Sequence, residues 1–486
     1  MLKSGADYLD GLRDGRVVYV GGEKVADVTT HPAFRNAART VAGLYDLKRD
    51  PGHRDSLSYE EEGDRHSMYY LLPRDRDDLL KRSRAHKLIS DQTYGLFGRS
   101  PDHVASFVAG LALQPEVFQP DYRDNLLSYY RRARSADSYI AYAVLPPQGG
   151  RDPEFSQRQP GYVSPSLRVI SEDNTGVTIE GIKTLATGGV LADEIWLGNL
   201  QPLGPGQEAL SITCAVPVAA EGMSLWARKP LELGAGSEFD SPLAHRFDET
   251  DAVVVCRGVK VPWENVFVHN HVALSREIYI RTPSHCFGNH QSNVRFWSKL
   301  RLILALARRI ADVNGTIKIP AVQETLGRLA AYEATIAAMV HGQCMAHEEL
   351  GNGYVSFNRR YMYGALSWCT ENYPMLCDTL RELMGGGVFM MPADISVLDQ
   401  ATRGTFESHW STPGQPALDR MKLFKLAWDL VGSEFGGRHM QYEKFYAGPS
   451  FVVRNHSFRE CPWGEMAGVL DRLLASYDIP GEYRIA

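Results

Sequence analysis

The sequence predicts an α+β protein in three successive parts: helical, then β, then helical again. Three observations carry that reading: helical periodicity over about the first 140 residues, a period-two pattern between about 150 and 268, and a helical period that returns after Pro283. At 486 residues the chain is too long for one ordinary hydrophobic core, so several domains are expected. We place an N-terminal helical domain at 1–145, a central β-barrel or sandwich at 146–268 and a C-terminal helical bundle at 269–486.

In the first part, Leu79-Leu80 begins a polar-faced helix, and Asp102 to Val108 leads an apolar helix toward Leu113. Pro101 suits that helix's first turn and Ser100 its N-cap. Pro146-Pro147-Gln148-Gly149-Gly150 then breaks the chain. In the second part, Leu167 to Ile170 and Val177 to Ile182 flank Asn174-Thr175-Gly176, which predicts a β-hairpin. Asp193–Leu197, Leu210–Val218 and Ala252–Val261 supply further short strands. In the third, Val294, Trp297, Leu300, Leu304, Ala307 and Ile310 fall on one helical stripe that Gly315 stops. A second pattern runs from Leu423 through Trp428 and Phe435 to Gly436-Gly437.

With 58 acidic against 52 basic residues the net charge is −6, which gives no electrostatic case for nucleic acid or an anionic membrane as partner. Short basic runs such as Lys81-Arg82-Ser83-Arg84 and Arg131-Arg132 read as solvated helix faces. No apolar run is long enough to span a membrane, and MLKSGADYLDGL lacks a signal-peptide core, so a cytoplasmic protein is expected. The seven cysteines (Cys214, Cys256, Cys286, Cys344, Cys369, Cys377, Cys461) are odd in number and contain no CxxC, as expected of reduced thiols.

The chain has neither GxxxxGK[ST] nor GxGxxG between a strand and a helix, which argues against a P-loop or a classical Rossmann site. Gly385-Gly386-Gly387 permits close backbone approach to a ligand, or simply stops a helix. Thr184 and Thr187, in KTLATG, place hydroxyl donors close together, or mark an ordinary strand end. Arg99 precedes the positive end of a helix, where an anion is welcome; a surface arginine is the plain alternative. In HCFGNHQSNVRF, Cys286 and His290 are spaced i,i+4 like two metal ligands, yet no second cluster completes a site, and none is assigned. A histidine near a helix start also suits a neutral proton acceptor, or a satisfied core residue.

Several stretches together are more specific. GADYLDGL, THPAFR, LYDL, LSYEEEGDRH, GRSPDH, LADEIWLGN, VPWENVF, GNHQSNVRF and LAWDLVGSEFGGRHMQYEKFY resemble, in order and spacing, the large oxygenase component of the 4-hydroxyphenylacetate 3-hydroxylase family. That family includes chlorophenol and nitrophenol monooxygenases and biosynthetic tyrosine-type hydroxylases. The resemblance implies an acyl-CoA-dehydrogenase-like fold, a homotetramer, and a two-component aromatic monooxygenase using FAD as FADH2 with O2 as co-substrate. A separate NAD(P)H:flavin reductase would supply FADH2, and a flavin C4a-hydroperoxide would hydroxylate the ring. The substrate would be a substituted phenol or a tyrosine-derived ring, free or tethered to a carrier protein.

Carried over by position, Arg99 and His290 are the implied catalytic pair, with His290 as phenol base. His103 and Tyr142 would contact substrate, while Arg228, Thr184, Thr187, Gly386, Gly387 and Arg438 lie in segments similar to flavin-contacting ones. Members acting on 4-hydroxyphenylacetate carry tyrosine where this chain has His103 and histidine where it has Tyr142, which points to another phenol. The alternative is an acyl-CoA-type flavin enzyme related to 4-hydroxybutyryl-CoA dehydratase, without oxygenase activity. Its [4Fe-4S] cluster needs thiolates that Arg99 and His103 do not provide.

Overall fold

The β hairpin forms where the turn residues predict it. Strands Arg168–Asp173 and Gly176–Thr187 pair antiparallel, with Asp173 opposite Gly176. The structure is a computed structural model that describes residues 2–148, 164–478 and 480–483, so Gly149 and Gly150 of the predicted chain break lie outside the described residues.

Gly176–Thr187 is the backbone of a six-stranded sheet ordered Glu23–Val25, Val18–Val20, Met223–Ala227, Asp251–Pro262, Gly176–Thr187, Arg168–Asp173. A second sheet of four strands runs Val266–His269, Ile212–Pro217, Glu194–Leu197, Ile140–Ala143. Among the described residues neither sheet closes into a barrel. Residues far earlier in sequence complete both sheets: Val18 pairs parallel with Leu225, and Ile140 with Glu194. Such pairings are long-range and leave no local periodicity, which is why the first 145 residues read as helical.

The third part is built around the 30-residue helix Ser284–Val313. It packs against Pro101–Ala112, Arg76–Gln92, Pro320–Met345 and Arg359–Met384. Of its predicted stripe, Val294, Leu300, Ala307 and Ile310 are buried, and Gly315 follows with a left-handed φ of 70°. Crossing of helix Pro101–Ala112 is close because position 288 lacks a side chain; a Cβ on Gly288 would lie 1.8 Å from Phe107. The later pattern differs from expectation. The helix Ala417–Val431 ends before Gly432, and Ser433 caps a new helix, Glu434–Phe445, by accepting from the Gly436 amide. The serine side chain satisfies an amide that would otherwise lack a partner, so Gly436-Gly437 sits inside a helix rather than at its stop.

One buried cluster joins all three parts through residues such as Val41, Val177, Val254, Leu300 and Leu380. Each such side chain contributes about 1.5–3 kcal/mol of burial, so the parts hold one another in place.

Candidate active site

Where the β sheets meet the helices, a cavity of about 510 Å³ opens. Arg99, Phe107, Tyr142, Thr184, Thr187, Asp251, Arg276, His285, Asn289, Arg438 and Tyr442 are among its lining residues. Strand Gly176–Thr187 forms one wall and helix Glu434–Phe445 another. The first two turns of Ser284–Val313 contribute His285 and Asn289, which share a face because they are four residues apart.

Arg99 sits in the turn before helix Pro101–Ala112, and its backbone is pinned twice. Its amide donates to Glu249 Oε2 at 2.7 Å, and its carbonyl accepts from the Tyr139 hydroxyl at 2.5 Å. The turn lies close enough to Tyr442 that a Cβ on Gly98 would fall 2.1 Å from the phenol oxygen. The Arg99 guanidinium forms no ion pair among the described residues. It contacts His103 Nε2 at 2.5 Å and the Tyr446 carbonyl at 3.2 Å, between the ring faces of Tyr142, Tyr442 and Tyr446. Ser100 holds the N-cap position as expected, but its hydroxyl makes no capping hydrogen bond and donates instead to Asp102 Oδ1 at 2.5 Å.

Burial, and then the charge of Arg99, push the His103 imidazole well below the usual histidine range. Arginine can only donate, so His103 Nε2 accepts and the proton resides on Nδ1, a buried atom with no partner among the described residues. Tyr142 packs its ring 5.8 Å from His103 and 5.6 Å from Phe107.

The opposite wall is electrostatically closed. Arg438 donates to Glu249 Oε1 at 2.7 Å and to both oxygens of Asp251 at 2.8 and 3.1 Å. Asp251 also accepts from Thr187 at 2.5 Å and from Arg228 at 2.9 Å. Burial opposes ionisation of Asp251, yet Arg438 and Arg228 hold its carboxyl well below the usual carboxylate range. Glu249 therefore bridges the Arg99 amide on one side of the cavity and the Arg438 guanidinium on the other.

Of the residues expected from sequence, Arg99, Tyr142, Thr184, Thr187 and Arg438 line this cavity. His103 lies behind Arg99, and Arg228 behind Asp251. Three others are elsewhere. His290 is fully buried on another face of its helix, stacked on Phe357 with ring centroids 3.7 Å apart and its Nδ1 2.7 Å from Gln343 Oε1. Gly386 and Gly387 occupy an exposed turn, Gly385–Met390, where Gly387 packs on Phe424. Cys286 donates to the Phe357 carbonyl, and burial pushes its thiol up to about 12.

His285, unassigned from sequence, is instead at the cavity. Its Nδ1 lies 2.7 Å from the Tyr363 hydroxyl, and its ring is 5.2 Å from that of His456. Burial, then His456 and nearby arginines, lower it to about 3, so it is neutral near pH 7. Asn289, Gln441, Tyr442 and His456 also line the site. The i,i+4 spacing of His285 and Asn289 was the available sequence signal, but periodicity does not say which helical face meets a cavity.

The donor set fits a flavin. Thr184, Thr187 and Gln441 offer polar contacts, Leu185 offers an exposed apolar edge, and the Tyr442 hydroxyl is buried without a partner among the described residues. Two family models cover almost the whole chain: 4-hydroxyphenylacetate 3-hydroxylase N terminal over residues 4–268 and its C terminal over 275–475. The chain belongs to the 4-hydroxyphenylacetate 3-hydroxylase family.

Members of that family similar to this chain are named for oxygenase components. The 4-hydroxyphenylacetate 3-monooxygenase oxygenase component of Thermus thermophilus is 33% identical over 92% of each chain. The 4-nitrophenol 2-monooxygenase oxygenase component of a Rhodococcus species is 31% identical, over 98% of this chain and 93% of that one. A crystal structure of a 4-hydroxyphenylacetate 3-monooxygenase oxygenase component complexed with FAD and 4-hydroxyphenylacetate superposes with a TM-score of 0.89. It is 30% identical, over 98% of this chain and all of the other. An archaeal 4-hydroxybutyryl-CoA dehydratase from N. maritimus also matches, with a TM-score of 0.87 over 100% of this chain and 97% of that one; at 19% identity this shows the shared fold alone.

Proposed function

We propose that this protein is the oxygenase component of a two-component, FADH2-dependent monooxygenase that hydroxylates a phenol. The observation that carries the reading is the joining, in one cavity, of an ion-pair-free Arg99, the ring cluster Phe107, Tyr142 and His285, and the Thr184, Thr187 and Arg438 wall. Bound reduced flavin supplies the electrons that let one atom of O2 be transferred to the aromatic ring.

Thr184, Leu185 and Thr187 with Arg438, Gln441 and Tyr442 would hold the flavin. The phenol would lie against Phe107 and Tyr142, with Arg99 favouring the phenolate that makes the ring more nucleophilic. His285, which lines the cavity, is better placed than the buried His290 to accept the phenol proton. When His285 Nδ1–H donates to the Tyr363 hydroxyl, its Nε2 is free to accept from the phenol. His103, held neutral, keeps a donor at Nδ1 and fixes the Arg99 guanidinium.

A separate NAD(P)H:flavin reductase would deliver FADH2 in the cytoplasm; no described helix is long and apolar enough to cross a membrane. The divisions at 145 and 268 serve as working domain boundaries, with the early strands completing the β part. Assembly as a homotetramer would cover helix Trp463–Leu474, which buries no side chain of its own and exposes Trp463, Val469, Leu470 and Leu473. The deciding experiment supplies purified protein with chemically reduced FAD and O2, without NADH, and assays a phenol panel for catechol or hydroquinone. Turnover is expected, and a panel left wholly unconsumed would overturn the proposal.

A further inference from the structure

The cations around the cavity are not equally satisfied. Arg438 is committed to Glu249 and Asp251, and Arg228 to Asp248 and Asp251. Arg99 donates to neutral acceptors deep in the site. Arg276 also lines the cavity, half-buried, and makes neither hydrogen bond nor ion pair among the described residues. The acid beside it in sequence, Glu277, is turned to Arg281 at 3.5 Å.

The fold puts Arg276 on the ring-receiving side. Arg276, Tyr279 and Ile280 are spaced i,i+3,i+4 on helix Leu274–Arg281, and all three line the cavity. Tyr279 is fixed by the Trp196 indole N–H, which donates to its hydroxyl at 2.8 Å. It also borders a small apolar hollow shared with Phe107 and Tyr142, the rings proposed to hold the phenol. The polar wall of Thr184, Thr187 and Arg438 belongs to other elements. Near Arg276 stand His285 and His456, which burial and adjacent positive charge keep neutral, so they bring no anion to it.

A half-buried guanidinium has lost hydration without gaining a counter-charge, a cost that a ligand carboxylate removes with two parallel hydrogen bonds. We propose that Arg276 is a specificity-determining residue that binds the carboxylate of a side chain on the phenol, so that the preferred substrate is a free aromatic acid anchored at both ends. The inference rests on the phenol-hydroxylase reading. Arg99 and His285 take the hydroxyl end, Arg276 the acid end, and an uncharged phenol engages only the first.

The test compares wild type, Arg276→Ala and Arg276→Lys in the full chain with chemically reduced FAD. The probes are 3-(4-hydroxyphenyl)propanoate and the uncharged 4-propylphenol. Arg276→Ala should raise KM for the acid by about 10- to 100-fold while leaving kcat/KM for 4-propylphenol within about twofold, and Arg276→Lys should fall between. Equal losses on both phenols would overturn the proposal, as would weaker binding of reduced FAD, which would assign Arg276 to the flavin diphosphate. Calorimetric titration of the acid reads the same contact without turnover: about tenfold weaker binding to Arg276→Ala is expected, and unchanged binding refutes it. An enzyme that binds the acid through Arg276 yet hydroxylates neither probe would instead count against the phenol reading.

Discussion

His285 and His290 lie five residues apart on one helix and have opposite surroundings. Five residues turn an α-helix by about 140° beyond a full circle, so one imidazole meets the cavity and the other the core. His285 is half-buried beside Tyr363, His456 and open space. His290 is sealed between Phe357 and Gln343, with Arg82 and His86 nearby. The helix thus carries one histidine toward the cavity and the other into the core, and farther along it Arg295 and Lys299 form a buried charge cluster. There Glu443 receives both nitrogens of Arg295 at 2.6 and 2.7 Å, and also Lys299.

The largest expected effect is at that buried cluster. Glu443→Gln leaves two buried cations without their anion and should lower unfolding free energy by about 3–5 kcal/mol, read by urea denaturation. A loss below about 1 kcal/mol would show that water reaches the cluster. At the cavity, Arg99→Ala should reduce kcat/KM by about 100- to 1000-fold with unfolding within about 1 kcal/mol of wild type. A stability loss matching the activity loss would make Arg99 structural.

The histidine pair itself is the next test. His285→Ala should lower kcat by about 100-fold, least where the phenol is already ionised. His290→Phe should leave kcat within about threefold and cost about 1–3 kcal/mol of stability, because Gln343 Oε1 loses its partner. The reverse pattern would restore His290 as the base.

The last test is in acid. His285 sits at about 3 when folded but at an ordinary 6.5 when unfolded, so the unfolded chain binds the extra proton between those values. Stability should therefore fall as pH drops from about 6.5 toward 3, and His285→Asn should flatten part of that slope. Urea midpoints at several pH values measure it, and an unchanged slope would mean that His285 is ordinarily solvated.

Much of the fold was legible. Asn174-Thr175-Gly176 marked its hairpin, Pro101 its helix start, and the Val294-to-Ile310 stripe the central helix. Arg99, Thr184, Thr187 and Arg438, which line the cavity, were singled out only through family resemblance, since each alone had an equally plain local reading. His285 was in view but unassigned, and Arg276 was not singled out at all. Gly386 and Gly387 carried a cofactor expectation but do not line the cavity; a flexible glycine run looks the same at a ligand as at an exposed turn.

By itself the sequence determined what short-range physics controls: helix starts and stops, turn chemistry, strand alternation and the order of the three parts. Tertiary structure decided which strands from residues 18–25 and 140–143 complete the sheets, which face of Ser284–Val313 meets the cavity, and which arginines find carboxylates. Those outcomes depend on groups far apart in sequence that packing brings within a few ångströms, and no local pattern encodes that proximity.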